Sequence, residues 1–227
     1  MMDLQGFGHL LLAGTWITLQ LALTSLLFGI LLGLLGAAAK LSTLAPLRWV
    51  ASLYTTLIRG IPELLLVLII YFGLTELLLR VFDVYVEISA FAAGVTALSI
   101  AFGAYATEVF RSALQEMPKG QKEAAQALGL TPWQSFYHIQ LPQLWRIALP
   151  GLGNLFLVLL KDTALVSVIG LDDLMRQAYV AAGFTKLPFT FYLVAAGIYL
   201  LLTIISMQVL RWMEIRANRP WQRHAES

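Results

Sequence analysis

Apolar side chains in this chain gather into long unbroken runs rather than alternating or recurring on one face. Residues 10–37 hold no charged side chain, and residues 188–210 hold none either. Residues 51–79 are apolar but interrupted by "RGIPE" at 59–63. Residues 88–107 are uncharged and lead on to Glu108, giving a stretch of about 88–110, and residues 147–170 are apolar except for Lys161 and Asp162. Crossing about 30 Å of hydrocarbon takes roughly 20 apolar helical residues, because lipid offers no partner to a free backbone N–H or C=O. The pattern therefore predicts an all-α integral membrane protein with five transmembrane helices. The polar stretch at about 114–142 is left outside the membrane, in a single membrane domain spanning 1–227.

Composition strengthens that picture. Of the 227 residues 59% are hydrophobic and 12% charged, with mean hydropathy +0.78; a soluble domain carries about 25% charged residues. A net charge of only +2 gives no reason to expect a nucleic-acid partner. With no cysteine, disulfides, thiolate nucleophiles and cysteine-held metals are excluded. His9, His138 and His224 have no ligand spacing, so no metal site is expected. The first basic residue is Lys40, beyond the first apolar run. A secretory signal would open with positive charge, so this run reads as a retained span.

Five spans place the termini on opposite sides. With the C-terminus inside, Lys40, Arg48, Arg111, Lys119, Lys122, Arg146, Arg211, Arg216, Arg219 and Arg223 are cytoplasmic, against Arg80, Arg176 and Lys186 outside. The positive-inside rule then predicts N-terminus outside, C-terminus inside, and a cytoplasmic 109–146 loop. Gly14, Gly29, Gly33 and Gly36 in the first run suit close helix packing in lipid. The tail, with Trp212, Trp221 and four arginines, suits an anchor on membrane lipid.

The cytoplasmic loop contains "EAAQALGLTPWQSFYHIQLP" at 123–142. Good helix formers lead to Gly129, which takes the left-handed position after a helix cheaply. Thr131 can cap a second helix with Pro132 at its first position, and Pro142 is expected to end it. Trp133, Phe136 and Ile139 then form an apolar strip that must meet either the span ends or another protein. Glu123-Ala124-Ala125, Gly129, Ile139, Leu141 and Pro142 stand at the spacing of the EAA loop, and the segment resembles that of permease subunits in bacterial ABC importers. The resemblance implies a type I importer permease fold, with this elbow as a coupling helix docked on a separate ATPase. The small Ala124 and Ala125 would let that partner come close, and Glu123 could pair with a basic group on it. The chain has no G-x-x-x-x-G-K-[ST] loop to cradle phosphates, so it is expected to bind no cofactor itself. ATP and Mg would sit on the partner.

Three further stretches extend the likeness over the whole chain: "TLIRGIPELLLVLIIYFG" at 56–73, "GAYATEVFRSALQEMPKGQKEAAQALG" at 103–129 and "PGLGNLFLVLLKDTALVSVIGLDDLM" at 150–175. They resemble polar amino acid permeases, nearest those for arginine, with histidine/lysine/arginine/ornithine permeases as close cousins. This implies a homologous permease partner, an ATPase dimer, a solute-binding protein, an amino-acid substrate and a place in the bacterial inner membrane. It also implies a transport subunit without covalent chemistry of its own.

Ionisable groups within spans are costly and usually functional. A zwitterion with a cationic side chain needs partners of both signs. The candidates are Arg59, Glu63, Glu108, Lys161 and Asp162, with Asn154 and Thr163 as uncharged hydrogen-bonding groups. Arg59 and Glu63 are four apart and would pair on an unbroken helix, although Gly60 and Pro62 argue for a break. Glu108 and Arg111 suit an interfacial pair. Lys161 and Asp162 are neighbours that point apart on a helix, so each needs an outside partner. Asp172 and Asp173 either face a binding protein or, as preferred, cap a short helix. The rival class is an ion-coupled secondary carrier using Asp162, disfavoured because no internal repeat is visible.

Overall fold

The computed structural model describes residues 4–83 and 88–222, and among these the chain is helical with no strand. Helix α1 (Gly8–Lys40) is followed by α2 (Ala45–Arg59), α3 (Glu63–Leu68) and α4 (Leu74–Phe82). A π-turn at Ile69–Gly73 joins the last two. Then come α5 (Ala90–Glu116), α6 (Lys119–Ala127), α7 (Pro132–Ser135) and α8 (Leu141–Asp162), with a π-turn at Phe136–Gln140 between α7 and α8. A 3₁₀ segment, Thr163–Ile169, extends α8. Helices α9 (Leu174–Thr185) and α10 (Pro188–Gln222) complete the described chain.

Among the described residues, five stretches are long and apolar enough to cross a membrane: Gly8–Lys40, Glu63–Val81, Ala90–Glu116, Pro132–Ile169 and Pro188–Asn218. Their number agrees with the sequence pattern, but their limits differ. The second begins at Glu63, because Arg59 is the last residue of α2 and Pro62 is the N-cap of α3. Residues 51–59 therefore belong to a separate helix. The fourth begins at Pro132 rather than 147. Pro142 does not end the helix there. The Leu141 N–H donates to the Phe136 carbonyl, so the chain takes one wider turn, and Pro142 falls in the first turn of α8, where a missing N–H costs little. Arg223 and His224 lie outside the described residues.

The α1–α5 pair forms the centre of the bundle. Gly29, Gly33 and Gly36 let α1 lie against Phe102, Ala106 and Thr107 of α5, so closely that a Cβ on Gly33 would come within 2.6 Å of the Ala106 Cβ. Small residues at such a seam bring backbones together where lipid provides no hydrophobic drive between helices. Leu21, Leu98, Phe102, Phe110, Leu152 and Val166 are buried around it. A second cluster, Leu11, Leu174, Ala178 and Phe191, joins α1, α9 and α10. By contrast α10 leaves Leu200, Leu201, Ile204 and Ile205 exposed, a surface for lipid or another chain.

Polar contacts lock the two ends. Lys40, last in α1, pairs with Glu108 of α5, whose other oxygen accepts from Arg111 Nε at 2.9 Å. At the far end Asp173 caps α9, accepting the Arg176 N–H at 3.0 Å, and the Leu174 N–H donates to Thr18 Oγ1 at 3.2 Å. Asp173 is fully buried, so of the adjacent acids only Asp172 is exposed.

Candidate functional site

One cavity gathers charge in the middle of the apolar bundle. On α5, Leu98, Ala101, Phe102 and Tyr105 recur at i, i+3, i+4 and i+7. On α8, Leu155, Val158, Leu159 and Asp162 recur at the same spacing. Each set therefore lies on one helix face. The two faces diverge to leave a cavity of about 240 Å³, which Glu63 closes from the third side. Glu63 reaches it because the helix stops at Arg59 and restarts after Pro62, setting Glu63 in the first turn of α3. Irregular backbone at membrane depth persists where it lines a cavity or is buried in protein.

The polar contacts in the cavity are few. Tyr105 Oη lies 3.5 Å from Glu63 Oε1, at the outer limit for donation of its O–H. The Arg59 guanidinium sits over the Tyr105 ring, 5.4 Å from its centroid. No ion pair joins Asp162 to Lys161, or Glu63 to Arg59, among the described residues. Two carboxylates in a small, mostly apolar cavity repel each other, and a cation placed between them removes that repulsion. A planar cation would also find the π-face of Tyr105. Chemically, such a cavity could accept an organic cation about the size of an amino-acid side chain.

The other candidates are dispersed. Lys161 opens onto a separate cavity of about 430 Å³ with Met175, Tyr192 and Tyr199. One residue turns by about 100° along a helix, which takes it away from the side where Asp162 points. Asn154 lines a third cavity with Gln208, Arg211 and Glu214. Thr163 is fully buried and donates to the Leu160 carbonyl at 2.7 Å. Glu108 is held by Lys40 and Arg111 as described, apart from Glu63 and Asp162. Tyr105 was not among the sequence candidates. Its signal was the hydroxyl-bearing aromatic in the small-residue run "FGAYATE", one turn before Glu108.

The elbow at the other end of α8 is built from local rules. Gly129 has φ +74°, its N–H donates to the Gln126 carbonyl and the Leu130 N–H to the Ala125 carbonyl, each at 3.0 Å. This is a Schellman termination of α6. Thr131 Oγ1 accepts the Gln134 N–H at 3.3 Å while Gln134 Oε1 accepts the Thr131 N–H at 2.9 Å, a reciprocal capping box at the start of α7. Gln143 of α8 hydrogen-bonds Gln121 of α6, fixing one arm of the elbow to the other. Ala125 is buried, Ile139 and Leu141 are half-buried, and Glu123, Ala124, Gly129 and Pro142 are exposed. Leu128 and Trp133 are 79% and 73% exposed, leaving an apolar knob on a polar elbow.

Comparison with known proteins gives these two features a family. A 47% identical relative over 216 residues, covering 94% of this chain and 96% of its own, is the arginine ABC transporter permease protein ArtQ of Haemophilus influenzae. The histidine/lysine/arginine/ornithine transport system permease protein HisQ of Salmonella typhimurium is 44% identical over 217 residues, 94% of this chain and 95% of its own. Among solved structures, an amino acid ABC transporter crystallised with histidines matches at TM-score 0.79 and 40% identity, over 91% of this chain and 94% of that one. An inward-facing MetNI methionine ABC transporter chain, 21% identical at TM-score 0.66 over 89% of this chain and 95% of that one, shares the fold. The family model for "binding-protein-dependent transport system inner membrane component" matches residues 10–219, nearly the whole five-span bundle. The chain belongs to that family.

Proposed function

We propose that this permease subunit carries a basic amino acid, L-arginine foremost, into the cell in an ATP-driven importer. The observation that carries this reading is the cavity of Glu63, Tyr105 and Asp162. Its two carboxylates suit a cationic side chain, and the Tyr105 ring suits a planar guanidinium over a compact ammonium. The names of the relatives point the same way: besides arginine, they include nopaline and octopine, which also carry a guanidinium group. Lysine, ornithine and histidine, carried by close relatives, are the alternatives.

The subunit would act with a homologous permease, an ATPase dimer and a solute-binding protein. ATP and Mg would belong to the ATPase. With the arginine-rich ends of the spans in the cytoplasm, the elbow of Glu123, Ala124, Ala125, Gly129, Ile139, Leu141 and Pro142 would face the ATPase, which would seat the Leu128–Trp133 knob. Closure of the ATPase dimer would move the elbow and tip the bundle outward; hydrolysis would reset it. Each state is favoured by whichever ligand binds it better.

The test is arginine-stimulated ATPase activity of the assembled, reconstituted importer. Asp162→Asn should weaken the arginine response without preventing assembly. An unchanged response would remove Asp162 from the site. Accumulation of arginine by this chain in vesicles lacking any ATPase would overturn the importer reading and favour a secondary carrier.

A further inference from the structure

We propose that Arg59 is a resident cation at the edge of the empty site: its guanidinium lies over the Tyr105 ring that a guanidinium substrate would use, so Arg59 opposes substrate binding until it leaves the ring. The inference rests on the reading of the Glu63–Tyr105–Asp162 cavity as the substrate site.

Three observations carry it. First, the Arg59 guanidinium already makes the contact expected of the substrate, 5.4 Å from the Tyr105 ring centroid. That ring belongs to the cavity wall, and its hydroxyl lies 3.5 Å from Glu63. A cation on the ring is therefore also in the field of the acidic pocket. Second, Arg59 forms no ion pair with Glu63. In an unbroken helix the two would be i, i+4 neighbours and would pair. The break at Gly60–Pro62 separates α2 from α3, so the Arg59 charge is offered to the cavity wall instead of being neutralised along its own helix. Third, Arg59 is exposed and is the last residue of α2. Its side chain can swing away by rotamer changes, which are fast for exposed groups.

A tethered group competes as though present at roughly millimolar concentration. If the ring is free only a fraction of the time, the apparent dissociation constant rises by the inverse of that fraction. Arg59 thus selects against weak cations. A substrate must do better than a guanidinium on the ring, by also reaching Glu63 and Asp162, while a small ammonium that cannot stack gains less by displacing it.

The opposite role is a fixed clamp for the substrate carboxylate, and the two roles differ in sign. The measurement is binding of radiolabelled L-arginine to the assembled importer in nanodiscs, without solute-binding protein. Arg59→Gln should bind arginine tighter by about 3- to 10-fold, as expected if the ring is free about a tenth to a third of the time. Arg59→Lys, which keeps the charge but stacks less well, should fall between Arg59→Gln and the parent and carries the test should Arg59→Gln not assemble. Unchanged or weaker binding in the tested variant overturns the proposal. Asp162→Asn in parallel separates this from failure of the site itself. If Asp162→Asn binds as tightly as the parent, the cavity is not the substrate site and both readings fall. If it binds more weakly while the Arg59 variant shows no gain, only the resident-cation proposal falls.

Discussion

Gly33→Ala tests the seam on which the bundle is built. A Cβ there would lie 2.6 Å from the Ala106 Cβ, 3.2 Å from the Ala106 carbonyl carbon and 3.3 Å from Phe110 Cδ2. Ordinary carbon–carbon contacts are about 3.5–4.0 Å, so α1 and α5 must part by about 1 Å. Neither neighbour can yield by changing rotamer: Ala106 has none, and Phe110 is fully buried. The separation also loosens Gly29 from Phe102 and Gly36 from Thr107. Inserting a methyl into such a contact costs about 1–3 kcal/mol, and the upper end applies because two further contacts open. Alanine returns about 1 kcal/mol of helix propensity. The net loss is about 2 kcal/mol, which for a chain of this size lowers the midpoint by about 4–8 °C. The assay is the apparent Tm of the detergent-purified protein, by fluorescence-detected size exclusion after heating at one fixed scan rate. The control is Gly120→Ala in α6, where a Cβ meets nothing within 4 Å, and that midpoint should hold or rise. A Gly33→Ala midpoint equal to or above the parent would refute the close-packed seam.

Two other consequences are open to measurement. Thr131→Ala removes the side-chain half of the capping box, leaving the backbone N–H that Gln134 Oε1 accepts, and should cost about 1 kcal/mol locally, read as faster hydrogen exchange over residues 133–135 with exchange in α1 unchanged; equal exchange would show that the cap does not hold α7. Burial pushes the Asp173 carboxyl up to about 6, against its backbone hydrogen bonds, and its Oδ2 lacks a partner among the described residues. An acid with a raised folded-state pKa binds its proton more tightly when folded, so its contribution falls as pH rises from about 4 to about 6. Asp173→Asn keeps a good N-cap and removes the charge. Its Tm relative to the parent should therefore be higher at pH 7.5 than at pH 4.5, and a difference independent of pH would contradict the buried-charge account.

The spans were legible because lipid makes one demand on every residue, and runs of apolar side chains meet it. The elbow was legible for a different reason. Gly129, Thr131 and Pro132 each have a local conformational preference, and all three agree. What escaped the sequence was anything that depended on a relation between helices. Lys161 and Asp162 point apart as their adjacency on a helix requires, but which cavity each faces is set by the neighbouring helices. Glu108 belongs with Lys40, which lies 68 residues away. Tyr105 acquires its place only from what α3 and α8 bring beside it. Helical periodicity shows which residues share a face but not which face meets which.

Pro142 is the instructive departure, because it changes how the two sites are connected. A helix ending there would leave a hinge between the elbow and the charged cavity. Instead the π-turn at Phe136–Gln140 carries the helix past the proline, and Pro132–Ile169 runs as one helical rod with a second proline, Pro150, inside α8. At 1.5 Å per residue, Pro142 and Asp162 are about 30 Å apart on that rod. The Gln121–Gln143 hydrogen bond ties α6 to its base. A helical rod transmits displacement where a loop would absorb it, and Pro150 is the point at which this one can bend. With the elbow coupled as proposed, a movement applied at Glu123–Gly129 would reach Asp162 as a tilt, and a tilt of α8 against α5 would change the spacing of Asp162 from Tyr105 and Glu63. Under the proposed coupling, the affinity of the cavity for its cation and the position of the elbow are two readings of one coordinate. That is the condition under which nucleotide and substrate can each bias the other's binding.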